Sequence, residues 1–128
     1  MSVTHSTAFR NAVADLVTST LGASPKLKFR LTGTVGSPGT AAATLTLSAT
    51  PFPAASSGVL TANAITSDTN ATGNASPVAT ATLETSGGTV EVHCAVAASA
   101  SDINLTNGLT IAAGDTVSCS SLTYTAMA

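Results

Sequence analysis

Charge is scarce in this chain. Four bases (Arg10, Lys26, Lys28, Arg30) and six carboxylates (Asp15, Asp68, Glu84, Glu91, Asp102, Asp115) are all that 128 residues carry. That is 8%, where an ordinary soluble domain has about 25%. Thr, Ser, Asn and Ala take over the solvent-facing role. Such a surface is poor material for an enzyme or for a free monomer, which normally keeps a charged, mixed exterior. It suits a chain covered by copies of itself or by a partner. A net charge of −2 with no cluster of bases beyond one strand excludes the electrostatic footprint of a nucleic-acid binder. Aromatic residues are nearly absent: no Trp, with Tyr124, Phe9, Phe29 and Phe52 the full set. That removes base-stacking platforms and the sugar-stacking surface of a carbohydrate-binding sandwich.

Long apolar runs are missing too. None approaches the roughly 20 residues needed to span a bilayer. The N-terminal MSVTHSTAFRNAVADLV has neither the basic start nor the continuous apolar stretch of a signal peptide, so synthesis in a cytoplasm and no membrane partner are expected. Cys94 and Cys119 are the two cysteines. A reducing compartment and their apolar settings favour two buried free thiols over a disulfide.

What the chain does have is pattern. Phe9, Val13, Leu16, Val17 and Leu21 recur at spacings of three and four, which predicts one amphipathic helix over Thr7–Leu21. Ser6 or Thr7 caps its start and Gly22 ends it. With one narrow apolar face, this helix should lie on its own sheet or on a neighbouring subunit. After Gly22 the chain alternates. Leu27, Phe29 and Leu31 interleave with Lys26, Lys28 and Arg30, a strand with one dry and one basic face. Leu45 and Leu47 alternate with Thr44, Thr46 and Ser48. Val59–Ile65 and Val78–Glu84 read as weaker strands. Val90, Val92, Cys94 and Val96 form a clear one. Val117 and Cys119 continue a dry face, and Leu122, Tyr124 and Ala126 carry it on one residue out of phase. That slip predicts a β-bulge near Ser120–Ser121.

Turn chemistry punctuates these runs. Ser86-Gly87-Gly88-Thr89 predicts a hairpin with both central glycines at positive φ. Pro51-Phe52-Pro53 begins a rigid loop, Asp68–Ser76 is a polar one, and Asn107-Gly108 and Gly114-Asp115 mark later turns. Short strands with turns every 8–12 residues predict a mainly β protein, an antiparallel β-sandwich or barrel carrying one N-terminal helix. The expected organisation is an arm and helix over 1–22 and a sandwich over 23–128, within a single domain.

The search for catalytic chemistry finds little. His93 and Cys94 are neighbours on a strand and so face opposite ways, a poor nucleophile–base pair. No Cys-x-x-Cys or His-x-x-x-His spacing exists, so no zinc is expected. Glu84 and Glu91 flank the predicted hairpin and would face each other across it as two solvated charges. Asp68-Thr69-Asn70-Ala71-Thr72-Gly73 opens like a calcium loop, but its twelfth position is Ala79 rather than Glu, and an Asx turn explains the residues. Three Asn-x-Ser/Thr triplets arise by chance in so Ser/Thr-rich a chain, and no Gly-rich phosphate loop opens a helix. The expectation is a non-enzyme with no catalytic residue, cofactor or metal.

Two stretches carry a resemblance. One runs from Gly58 through Ala62-Asn63-Ala64-Ile65 to Gly73. The other runs from Ser86-Gly87-Gly88-Thr89-Val90, through Ser99–Leu105, to Ile111–Ser118. Together with Ala8–Leu16 they resemble a family of small structural proteins of tailed bacteriophages, some of which are cement (decoration) proteins bound outside the major capsid shell. The resemblance implies a jelly-roll-like fold, no catalytic residues, a virion location on the capsid surface, and two partners: the major capsid protein and a second copy of the chain. A tail tube, baseplate or fibre component is the alternative. For contact, Phe52 between two prolines is a candidate interface anchor, with packing under its loop the alternative, and Lys26, Lys28 and Arg30 are a candidate basic face for an acidic capsid patch, with an ordinary solvated face the alternative.

Overall fold

The computed structural model describes residues 3–126. It is mainly β with one helix. The helix, α1 (Thr7–Leu21), has the predicted limits: the Ser6 hydroxyl accepts the Phe9 N–H at 3.2 Å, and the Gly22 N–H donates to the Thr18 carbonyl at 3.1 Å. Seven strands follow: β1 (Lys26–Arg30), β2 (Ala41–Thr46), β3 (Val59–Thr61), β4 (Thr80–Glu84), β5 (Val90–Ala97), β6 (Ile103–Asn104) and β7 (Thr123–Thr125). Five make one sheet in the order β2-β1-β4-β5-β6, while β3 and β7 form a separate ribbon. The large sheet is mixed rather than wholly antiparallel, because β6 runs parallel to β5 with Val96 opposite Ile103.

Register sorts the side chains. Leu27 lies between Leu45 and Leu83, and Phe29 between Ala43 and Ala81. This dry face, the β3 residue Leu60, Phe52, Val78, Ile111 and Val117, and the helix residues Ala14 and Leu21 belong to one buried cluster. Each fully buried Leu or Phe stabilises the fold by about 1.5–3 kcal/mol relative to exposure. The opposite face carries Lys26, Lys28 and Arg30 on β1 beside Thr82 and Glu84 on β4.

The outer edge of β2 would present unpaired backbone groups, a template for aggregation. The polar loop closes it. The Asp68 Oδ2 accepts the Thr44 N–H at 2.9 Å, Thr66 exchanges hydrogen bonds with Thr46, and the Gly73 N–H donates to the Ala42 carbonyl at 2.8 Å. Asp68 Oδ1 also accepts the Asn70 N–H at 3.1 Å, the Asx turn expected here.

Several local expectations are corrected. The helix is rotated from its apolar stripe: Ala14 and Leu21 are buried, whereas Phe9 is 50% and Leu16 63% exposed. Polar anchoring sets the rotation. Asn11 Oδ1 accepts the Gly58 N–H, and Asp15 Oδ1 the Ala55 N–H, each at 2.8 Å. The hairpin exists one residue earlier than its glycines suggest. Gly88 N–H donates to the Thr85 carbonyl, so Ser86 and Gly87 are central, and Gly88 alone of the two glycines has positive φ (+97°). The slip near Ser120 is a break rather than a bulge in one ladder. Val117 pairs with Asp68, then Thr123–Thr125 pairs with β3, and residues 118–122 belong to no strand. A change of pairing partner shifts phase as well as an inserted residue does. The run beginning at Val59 stops at Thr61, and the run to Glu84 begins at Thr80.

Candidate interaction surface

The three bases of β1 do not form an open basic face. Glu84 is only 1% exposed and lies among them. Its Oε1 accepts from Lys28 Nζ at 2.8 Å and its Oε2 from Arg30 Nη2 at 3.0 Å. Thr82 closes the network: its hydroxyl accepts from Arg30 Nε at 2.9 Å and donates to Glu84 Oε2 at 3.1 Å. The remaining Arg30 nitrogen, Nη1, donates to the Gly39 carbonyl. Lys26 stands directly opposite Glu84 in the ladder, yet its Nζ donates to the Thr46 hydroxyl at 3.3 Å. The ion pair instead uses the diagonal Lys28, which a long side chain can reach. Burial pushes the Glu84 carboxyl up, but the hydrogen bonds from Lys28 and Arg30, the Lys28 charge and the Thr82 hydroxyl outweigh it and hold the group below its usual range.

Glu84 and Glu91 do not oppose each other. Leu83 pairs with Val92, but Glu84 pairs with Val90. Glu91 is therefore the extra residue of a β-bulge and projects into solvent. The bulge removes a cross-strand pair of like charges.

Phe52 is 2% exposed and belongs to the core, so it packs beneath its proline loop and is not an exposed anchor. His93 pairs across the ladder with Thr82 on the polar face, with a buried Nε2 that has no hydrogen-bond partner. Cys94 points the other way and is a half-buried free thiol, as is Cys119. Burial, then the Asp102 charge, raises the Cys94 pKa; burial also raises that of Cys119, partly offset by the Ser121 backbone. Neither environment makes a reactive thiolate. Among the described residues no group of three or more His, Cys, Asp or Glu is placed to hold a metal ion, and no helix is long and apolar enough to cross a membrane.

Exposure marks a different surface. Phe9 and Leu16 lie two helical turns apart on one side of α1, with exposed Ala12 between them. Val3, just before the helix, is 81% exposed, and the His5 ring stacks on Phe9 with centroids 5.3 Å apart. Because Asn11 and Asp15 are tied to the protein body, this apolar side is held outward. The spacing marks Phe9 and Leu16 as apolar helix positions, but their exposure depends on anchors to residues 40 and 47 positions away.

No protein family, curated protein or solved structure matches this chain.

Proposed function

We propose that this chain is a capsid cement, or decoration, protein of a tailed bacteriophage, which binds the outside of the major capsid shell and stabilises it by bridging subunits. The observation that carries the reading is the outward apolar side of α1, with Phe9 and Leu16 more than half or half exposed on an anchored helix. Apolar surface held outward on a weakly charged protein is what a contact surface requires. The resemblance in the strand and turn pattern supports the same reading. A jelly-roll-like sandwich is the architecture proposed with it, and the sharing of one core by the five-stranded sheet and the β3–β7 ribbon is in its favour.

Cement needs no turnover. Modest interfaces repeated around a shell add through avidity, so a small apolar contact on each copy suffices to oppose the pressure of packaged DNA. The proposed partners are the major capsid protein and a second copy of the chain, and the proposed location is the capsid surface after synthesis in the host cytoplasm. The basic strand has a reduced part in this contact, since Glu84 occupies Lys28 and Arg30.

Electron cryo-microscopy of the virion encoding the chain tests the reading. Density between capsid subunits on the outer shell, with Phe9 and Leu16 at the contact, is the expected result. The F9S/L16S variant should retain its melting temperature and lose occupancy on the particle. Density in the tail, or none in the particle, would overturn the proposal.

A further inference from the structure

A cleft of about 520 Å³ opens between two loop segments, with the buried Phe29 among its lining residues. One wall is the segment 102–111, which begins at β6. The other is the segment 115–123, which leads into β7. We propose that this cleft receives an extended, lysine- or arginine-bearing segment of a partner protein, which adds to it as a β-strand. The inference concerns a surface separate from the apolar side of α1 and holds whatever assembly the chain belongs to.

Three observations specify the occupant. The first is unpaired backbone. Residues 118–121 lie between two paired stretches, Val117 with Asp68 and Thr123–Thr125 with β3. Among the described residues, the backbone N–H groups of 118–121 donate to no protein acceptor. Across the cleft, β6 pairs on one side alone, with β5. Backbone edges of this kind bind extended peptides through main-chain hydrogen bonds. The second is apolar depth. Phe29, Ile111 and Val117 are buried at the lining, and Leu105 and Leu122 are half-buried beside them. Alternate side chains of an added strand would find apolar contact there, because strand side chains point to the two faces in turn.

The third is charge. Two carboxylates line the cleft, Asp102 and Asp115, and no Lys, Arg or His does. Each uses Oδ2 to accept a backbone N–H, from Ala95 at 3.0 Å and Ala112 at 2.9 Å. Among the described residues neither Oδ1 has a hydrogen-bond partner in the protein. Both acids therefore keep an oxygen for a cationic side chain while their own turns stay tied.

An mRNA-displayed library of random dodecapeptides, selected against the whole chain, tests the inference. Enriched peptides should be rich in Lys or Arg, poor in Pro, and alternate apolar with polar residues. Amide NMR shifts on adding an enriched peptide should concentrate in 102–108 and 116–123. D102N/D115N retains both turn-tying carbonyls, and should keep its melting temperature but bind about tenfold more weakly, the order expected for two exposed charge pairs. Methylating alternate peptide nitrogens should abolish binding. No enrichment, enrichment of acidic or proline-rich sequences, shifts confined to another surface, or binding indifferent to D102N/D115N would each overturn the proposal. None of these results depends on a capsid, so failure here and failure of the shell-binding reading are separately visible.

Discussion

Glu84 is the residue whose replacement tells most about how this fold is held. Its side chain is 1% exposed, against 10% for Arg30 and 26% for Lys28. In Glu84→Gln the shape survives but the charge does not. The new amide offers one acceptor to two cationic donors and turns its own N–H groups toward one of them. Lys28 is exposed enough to swing into water. Arg30 is not, and it cannot deprotonate, so its guanidinium stays buried with only Thr82 and Gly39 as partners. Removing one member of a buried pair typically costs 3–5 kcal/mol. The surviving bonds of Arg30 place the expected loss at the lower end, about 3 kcal/mol. For a domain of this size that is a fall in melting temperature of about 12 °C.

Arg30→Met/Glu84→Met removes both charges and should recover most of the loss, because buried ion pairs barely outperform well-packed apolar replacements. Urea denaturation of the wild type, the Arg30→Met and Glu84→Met single variants and the double variant gives the coupling directly. The pH dependence has a fixed sign. A carboxyl held below its unfolded value contributes stability above that value and loses it as pH falls through the folded one. The gap between wild type and E84Q should thus be constant above about pH 5.5, narrow below the ordinary Glu value near 4.3, and close in stronger acid. A loss under 1 kcal/mol for E84Q, single-variant losses that simply add in the double, or a gap that widens in acid would refute the reasoning.

Asn11→Ala and Asp15→Ala each leave a backbone N–H of the 55–58 loop without its acceptor, so each should cost about 1–2 kcal/mol. Hydrogen exchange should show protection lost across Thr7–Leu21 while β1 and β4 keep theirs. Gly88 and Gly73 both have positive φ (+97° and +71°), but a Cβ at Gly88 meets open space, whereas one at Gly73 falls 2.2 Å from the Ala113 nitrogen. Gly88→Ala should therefore cost about 1 kcal/mol, and Gly73→Ala clearly more, as measured by thermal denaturation of the two variants.

The parts of the fold legible in the sequence are those encoded within one element. The limits of α1 follow from Ser6, Gly22 and apolar spacing, and the dry faces of β1 and β5 follow from strict alternation. The phase slip near Ser120 was visible as well, though not its cause. What alternation cannot show is the choice of partner. Two-residue β6 is too short to display a period, so its parallel pairing with β5 left no trace. The rotation of α1 is decided by Asn11 and Asp15 against a loop 40 and 47 residues away. Periodicity alone marked Phe9 and Leu16 as part of an apolar stripe but left open whether it meets the chain's own sheet or a neighbour; the structure turns these two outward. The basic face had the same blind spot. Lys28 and Arg30 were correctly placed on one side of β1, but their neutralising acid lies on another strand, 54 residues beyond Arg30. The register of Lys26 with Glu84 would have revealed it, and register between distant strands is not written in either strand alone.

Sequestering these groups alters what the rest of the molecule presents. The chain has a net charge of −2, and the Lys28–Arg30–Glu84 cluster carries +1 of it. The remainder of the protein thus stands at −3, with Glu91, Asp102 and Asp115 all exposed. With so few charges overall, little of the opposite sign lies nearby to offset this field. Long-range steering acts through the summed field and weakens with ionic strength. The field at long range is still that of the whole chain at −2, and what would favour bases at the proposed cleft is the local exposure of Asp102 and Asp115. The ion cluster is itself net positive and only moderates the protein's negative sign, so E84Q, which takes the net charge from −2 to −1 at a site outside the cleft, should weaken the salt dependence of basic-peptide binding modestly, whereas D102N/D115N, which removes both cleft carboxylates, should flatten it.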